Sequence, residues 1–239
     1  MKKAKYHRIL LKLSGEVLRD PQGGDCLSDD ILARMAEQIR AVRKMGVQVG
    51  VVIGGGNIFR GLKGQDRGFG RAHGDNMGMF ATLINSLALQ SALEAAGVPA
   101  KTLSATAMPA FCELFTFRRA IELLEAGTVV LIGGGTGNPF FTTDSAAALR
   151  AAEIGAEVLL KATKVDGIYD ADPVTNPRAV KFDRLTYSEA LARRLKVMDA
   201  AAFSLCMDNL IPILVFDFFK RGELLRVVRG EKAGTLVTA

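Results

Sequence analysis

Three short apolar runs in this chain each stop at a glycine turn, and that repeated unit constrains the fold more than any other feature. Arg8 to Leu13 ends in Ser14-Gly15, Val47 to Ile53 in Gly54-Gly55-Gly56-Asn57, and Thr128 to Ile132 in Gly133-Gly134-Gly135-Thr136-Gly137-Asn138. The second run is dominated by β-branched residues, the pattern of a strand buried on both faces. Helical periodicity fills the intervals. Ser28 is a candidate N-cap, and Ile31, Met35, Ile39 and Val42 mark one face of a helix that stops at Gly46. A long apolar helix is expected from about Met77 to Ala96, closed by Gly97 and Pro99.

The second half repeats the logic. The pattern predicts a helix over Thr142 to Gly155 and a strand over Val158 to Lys161, then a loop-rich insertion through Asp170-Ala171-Asp172-Pro173 and Asn176-Pro177. Tyr187 to Leu195 and Ala200 to Asp208 read as helices. Ile211 to Phe216 and Thr235 to Val237 read as closing strands, with Gly222 to Val228 between them. Alternating strands and helices predict an α/β fold with a mostly parallel central sheet. No Pro/Ser-rich linker divides the chain, so a single domain over residues 1–239 is expected. Within it, two lobes are expected to meet softly near residue 160. Gly61 to Gly74, rich in glycine and charge, reads as a mobile loop.

Hydrophobic residues make up 49% of the 239 residues and charged residues 23%, which suits a packed core and excludes general disorder. The longest uncharged stretch, Asn76 to Leu93, carries Asn85, Ser86, Gln90 and Ser91, so it reads as a buried or interface helix and not as a membrane span. The basic start Met1-Lys2-Lys3-Ala4-Lys5 is followed by an apolar run that stops at Lys12 without a cleavage site. A cytoplasmic protein with no membrane partner is the expectation. Three scattered cysteines (Cys26, Cys112, Cys206) and two histidines (His7, His73) give no metal-ligand spacing and no Cys-His or Ser-His-Asp set, so no metal site is assigned to the chain. The net charge of +6 favours anionic ligands. The basic residues are scattered and Trp is absent, which points to small phosphorylated molecules and away from nucleic acid.

Ligands of open α/β sheets bind at the carboxyl ends of the strands, where glycines let backbone N–H groups approach phosphate oxygens. One such turn is ordinarily just a tight turn; three on one edge indicate phosphate handling. No GxxxxGK[ST] loop occurs, and Gly54 to Gly61 lacks the dinucleotide-binding spacing. Lys12 interrupts an apolar strand end. It is either a snorkelling surface lysine or a cation placed among phosphates. Arg60 follows the second glycine turn by four residues, within reach of the same anions. Asp144 falls in the first turn of the helix expected at Thr142, where it either caps the helix or orients a lysine or metal. These three, Lys12, Arg60 and Asp144, are the candidate catalytic residues, with Lys161 a further source of positive charge.

Six segments resemble the bacterial UMP kinases of the amino acid kinase superfamily, over essentially the whole chain. They are KLSGE from Lys12, VVIGGGNIFRG from Val51, GDNMGM from Gly74, GTGNPFFTTDSAA from Gly135, LKATKVDGIYDADP from Leu160 and LKVMDAAAF from Leu195. The resemblance implies a three-layer αβα sandwich and transfer of the ATP γ-phosphoryl group to UMP in pyrimidine nucleotide biosynthesis. It implies that Lys12, Leu13, Ser14, Gly15, Gly56 and Arg60 contact ATP phosphates, and that Thr163, Tyr169 and Asp172 line the nucleoside pocket. For UMP it implies Gly55, Asp75 and the run Thr136, Gly137, Asn138, Pro139, Phe140, Phe141, Thr142 and Thr143, with Asp75 on the ribose hydroxyls. It also implies Mg²⁺ bound with ATP, a homohexamer and inhibition by UTP. The stretch Arg19-Asp20-Pro21-Gln22-Gly23-Gly24-Asp25 departs from the glycine-rich segment tied to GTP activation in some relatives.

The charge logic fits that acceptor. A phosphate monoester has its second pKa near ~6, so no general base is required at neutral pH. Catalysis reduces to holding two anions in line and neutralising the transferring group. Two other readings stay open on the residues alone: a superfamily kinase acting on a carboxylate, carbamate or phosphonate, and a non-catalytic nucleotide or oxyanion binder.

Overall fold

The computed structural model describes residues 3–20, 24–59, 68–195 and 197–239. Strands β1 (Arg8–Leu13), β2 (Gln48–Ile53), β3 (Ala100–Ser104), β4 (Glu113–Leu114), β5 (Val129–Gly133), β6 (Val158–Thr163), β9 (Arg184–Thr186), β10 (Ile213–Asp217) and β11 (Thr235–Thr238) form one nine-stranded sheet; β7 (Ile168–Tyr169) and β8 (Lys181–Phe182) form a small hairpin beside it. The order is β4-β3-β5-β2-β1-β6-β10-β11-β9, and every pairing is parallel except β10 with β11. The mostly parallel sheet expected from the alternating pattern is therefore present.

Helices cover both faces. Strand β1 lies between β2 and β6, and its side chains alternate between two cores. Ile9, Leu11 and Leu13 pack with helices α1 (Asp29–Arg43), α2 (Arg71–Ala95) and α7 (Glu223–Val228). Leu10 packs on the other side with α3 (Phe117–Glu125), α4 (Thr143–Glu153) and α6 (Ala200–Asp208). Three layers result. In α1 the buried residues Ile31, Met35, Ile39 and Val42 are the face read from the sequence. Among the described residues no helix is long and apolar enough to cross a membrane.

The structure corrects the N-terminal boundary of the long helix. It begins at Arg71, not Met77, so residues 71–74 of the expected loop are helical, while residues 60–67 lie outside the described residues. Gly74 obscured this start, because glycine reads as a loop residue. Here Arg71 Nε donates to Asp75 Oδ2 at 2.8 Å across one helical turn, and Gly74 N–H donates to Gly70 O at 3.0 Å. The small residues serve a contact: a Cβ on Gly55 would lie 2.7 Å from Gly78 O, so α2 seats directly against the second glycine turn. The helix α5 (Tyr187–Ala192) also ends earlier than expected, before Arg194, which adopts a left-handed φ of 54°.

Candidate active site

Because β1, β2, β5, β6 and β10 run parallel, their carboxyl ends bring all three glycine turns to one edge. The turns touch. Gly54 N–H donates to Leu13 O at 2.9 Å, and a Cβ on Gly15 would sit 2.1 Å from Gly54 O, a spacing that only glycine allows. Buried amides brace the same place. Asn85 of α2 donates through Nδ2 to Gly54 O at 2.7 Å and to Asn57 Oδ1 at 2.7 Å, and Asn57 returns a bond to Asn85 Oδ1 at 3.0 Å. Thr82 Oγ1 accepts from Gly134 N–H at 2.8 Å, so α2 also fixes the third turn.

Lys12 and Lys161 are direct register partners on β1 and β6, so their side chains emerge on the same face. Two ammonium groups so placed repel unless an anion separates them, and Asp144 supplies it. Lys12 Nζ lies 2.6 Å from Asp144 Oδ1, and Lys161 Nζ lies 2.7 Å from Asp144 Oδ2 and donates to Val197 O at 2.7 Å. All three side chains are at most 16% exposed. Burial is the strongest single influence on the Asp144 carboxyl and opposes its ionisation. The two ammonium groups together outweigh it and hold the carboxyl below the usual range. Burial likewise dominates at Lys161 and, with Lys12 beside it, lowers the Lys161 ammonium below the ordinary lysine value, against the pull of Asp144.

Asp144 does not cap its helix. Thr142 does, accepting from the N–H groups of Asp144 and Ser145 at 3.0 and 3.3 Å. Asp144 is thereby free to face the lysines. Thr142 and Ser145 in turn donate their hydroxyls to Asp199, which caps α6 through Ala202 N–H at 2.9 Å. Asp199 was not singled out from the sequence; its only signal there is an acid just before the Ala-rich helical run of LKVMDAAAF.

Two clefts flank this charged centre. The first is lined by Gly55, Asp75, Thr136, Asn138, Phe141, Thr142 and Thr143, together with Phe59, Gly78, Met79, Thr82 and Gly135, which sequence reasoning did not name for it. Gly137, Pro139 and Phe140 belong to the same loop but do not line the cleft. Gly137 takes a left-handed φ of 81° against Ala105. Phe140 holds a φ of 72°, uncommon for a bulky residue, with its N–H donated to Asp75 Oδ2 at 2.8 Å. Asp75 thus ties the start of α2 to the glycine-rich loop. The second cleft, of about 560 Å³, is lined by Thr163, Tyr169 and Asp172 as well as Lys161, Val165, Arg193, Val197 and Val215. Tyr169 donates its hydroxyl to Asp166 at 2.5 Å. Lys161 lines the second cleft, and Thr143, next in sequence to Asp144, lines the first, so the Lys12–Asp144–Lys161 centre lies beside both.

Leu13 is wholly buried and offers only backbone; Ser14 and Gly15 open the short 3-10 turn after β1, and Gly56 lies in the second turn. Arg60 lies outside the described residues. Among the described residues no three His, Cys, Asp or Glu side chains gather to hold a metal ion. Cys206 sits behind Asp144 in the second core, where burial first and that carboxylate second push its thiol up to about 12.

The amino acid kinase family model matches residues 7–217. The chain belongs to the amino acid kinase family. As a member it is 56% identical over 236 residues to the uridylate kinase of Parabacteroides distasonis, spanning 98% of this chain and 99% of that protein. It is 54% identical over 235 residues to the uridylate kinase of Bacteroides thetaiotaomicron, with 98% and 99% covered. The crystal structure of UMP kinase from Bacillus anthracis superposes with a TM-score of 0.94 at 36% identity, covering 98% of this chain and 96% of that one. This amino acid kinase therefore shares fold and near-complete length with those enzymes.

Proposed function

We propose that the chain is a phosphotransferase that moves the γ-phosphoryl group of ATP to UMP, yielding UDP and ADP in pyrimidine nucleotide biosynthesis. One observation carries the reading: two clefts of different size lie beside a buried Lys12–Asp144–Lys161 centre, which contributes Lys161 to the larger. ATP is assigned to the larger cleft, its nucleoside against Thr163, Tyr169 and Asp172. Its phosphates extend to Lys12, the backbone of Leu13, Ser14 and Gly15, and Gly56, with Arg60 supplying further charge. UMP is assigned to the smaller cleft, its phosphate toward Gly55 and the Thr136 to Thr143 loop, including Gly137, Pro139 and Phe140, and its ribose on Asp75.

The acceptor phosphate is already ionised above about pH 6, so the protein need not remove a proton. The ammonium groups of Lys12 and Lys161 stabilise charge on the transferring group, and Asp144 holds both in place. Asp144 is ion-paired with both lysines, and among the described residues no carboxylate cage accompanies it. Mg²⁺ is accordingly assigned to the substrate as its ATP complex, held by phosphate oxygens. In this assignment residues 1–160 form the UMP and phosphate lobe and residues 161–239 the ATP nucleoside lobe. UTP inhibits by occupying the UMP cleft, and the enzyme works in the cytoplasm.

ADP release measured side by side with UMP, CMP, aspartate and carbamate tests the assignment. Turnover with UMP alone is expected; turnover only with an acid would move the chain to another branch of the family, and none at all would make it a binder.

We also assign a homohexamer. Met77, Phe80, Ile84 and Leu87 are exposed at three- and four-residue intervals along α2, an apolar stripe on the face opposite Thr82 and Asn85. Phe80→Glu combined with Ile84→Glu is expected to reduce the assembly to smaller species in sedimentation velocity. An unchanged mass would remove this stripe from the interface.

A further inference from the structure

Arg150 of α4 is a buried cation with no part in the phosphotransfer scheme. It is 5% exposed, and its three nitrogens meet different surroundings. Nη1 donates to Glu153 Oε2 at 2.6 Å, Nη2 donates to Gly135 O at 3.3 Å, and Nε is buried without an acceptor. The guanidinium carbon lies over the Phe115 ring, 4.2 Å from its centre. Phe115 is itself tied to β3, donating its N–H to Ser104 O at 2.7 Å. Burying a guanidinium with an unpaired nitrogen costs more than an apolar side chain would in the same place, so packing alone does not account for it. Held at Nη1 by Glu153 and on its face by Phe115, the rigid fork aims Nη2 at the third glycine turn.

That turn needs fixing. Gly134 and Gly135 both take left-handed φ values, 78° and 58°, and glycine changes conformation at little steric cost. Thr82 holds the turn by the Gly134 N–H at 2.8 Å, and Arg150 holds it by the Gly135 carbonyl. The peptide joining Gly135 to Thr136 is trans, so its N–H points opposite to its carbonyl. Gly135 and Thr136 line the smaller cleft and Arg150 does not, so drawing the carbonyl to Arg150 turns the Thr136 N–H toward the cleft. The Thr136 hydroxyl and carbonyl are both engaged with Asn138. The Thr136 N–H donates to no acceptor among the described residues.

We propose that Arg150 is a positioning residue for the acceptor phosphate, locking the Gly135–Thr136 peptide so that an N–H, and not a carbonyl oxygen, faces the anion. The proposal rests on the assignment of UMP to the smaller cleft. Without the lock, rotation of that peptide unit presents the negative end of its dipole to the phosphate, and binding weakens. The acceptor phosphate is anionic before and during transfer. The contact is therefore made equally in both states, and its loss appears in KM and not in kcat.

Steady-state kinetics of full-length Arg150→Met, with a thermal melt on the same preparation, test this. The KM for UMP is expected to rise roughly tenfold, the weight of one hydrogen bond to a charged group. Both kcat and the KM for ATP are expected to stay within about twofold of the parent. Arg150→Lys keeps a cation with a donor and is expected to recover part of the loss. Should the methionine variant fail to fold, the same split between KM and kcat is read on the lysine variant. An unchanged KM for UMP in a folded variant would overturn the role of Arg150 and leave the phosphotransfer assignment standing. A loss shared by kcat and both KM values, with a lowered melt, would make Arg150 a packing residue. A rise confined to the KM for ATP would instead overturn the assignment of the clefts, and the proposal with it.

Discussion

Lys12→Ala is expected to lower turnover with ATP and UMP by roughly 10² to 10³-fold, the usual loss when one preorganised charge-stabilising group is removed. The fold should survive. In the parent, Asp144 is shared by two ammonium groups, and removing Lys12 leaves it paired with Lys161 at 2.7 Å. Burial no longer has to accommodate two like charges at adjacent register positions, so the repulsion between them also disappears. The KM for UMP should change little, because Lys12 does not line the smaller cleft. Steady-state kinetics and a thermal melt on the same preparation make the check. Near-parental turnover would remove Lys12 from the chemistry, and a collapsed melt would make its role structural.

Half of the Lys12 centre is legible in the sequence. A charged residue at the end of an apolar strand is visible in the sequence, and so is an aspartate in the first turn of a helix 132 residues later (144 − 12). Their contact is not visible, since it depends on β6 lying beside β1 and on α4 covering that face. The long helices and the buried strands were legible because each carries its own periodicity. Strand β3 was not assigned, because Ala100-Lys101-Thr102-Leu103-Ser104 is too polar to stand out and relies on pairing with β5. Helix α3 was missed as well, though Ala120 and Leu124 sit one turn apart and are both fully buried; only nine residues of pattern were present. At the candidate site, the Thr136 to Thr143 and Asp75 segments have no periodic signal of their own and are marked in the sequence only by family resemblance. The Asn57–Asn85 amide pair and Asp199 escaped because polar side chains that hydrogen-bond to backbone or to one another carry no periodic signature.

Asp144→Asn is expected to be the most destabilising single change at the site. It keeps the shape but leaves the Lys12 and Lys161 ammonium groups side by side, at most 16% exposed, with only the weaker influence of Asp199 on Lys161 as counter-charge. Removing one partner from a buried ion pair costs about 3–5 kcal/mol, and turnover should fall with it because neither lysine keeps its position. The pH dependence identifies the cause. In the parent the carboxyl is held below its usual range, so its contribution is complete above the unfolded carboxylate pKa and is lost as pH falls through the lower folded value. The variant lacks that contribution, and its deficit should narrow in acid. The deficit should narrow again toward pH 9. The Lys161 ammonium is already depressed in the parent and, without Asp144, falls further, so between its folded and unfolded pKa values the native chain binds fewer protons than the unfolded chain. Stability of the variant then rises with pH across that window. Urea denaturation at pH 4, 7 and 9 reads both limbs. A deficit that is the same at all three would mean that lost packing, and not the poorly compensated charge of Lys12 and Lys161, destabilises the variant.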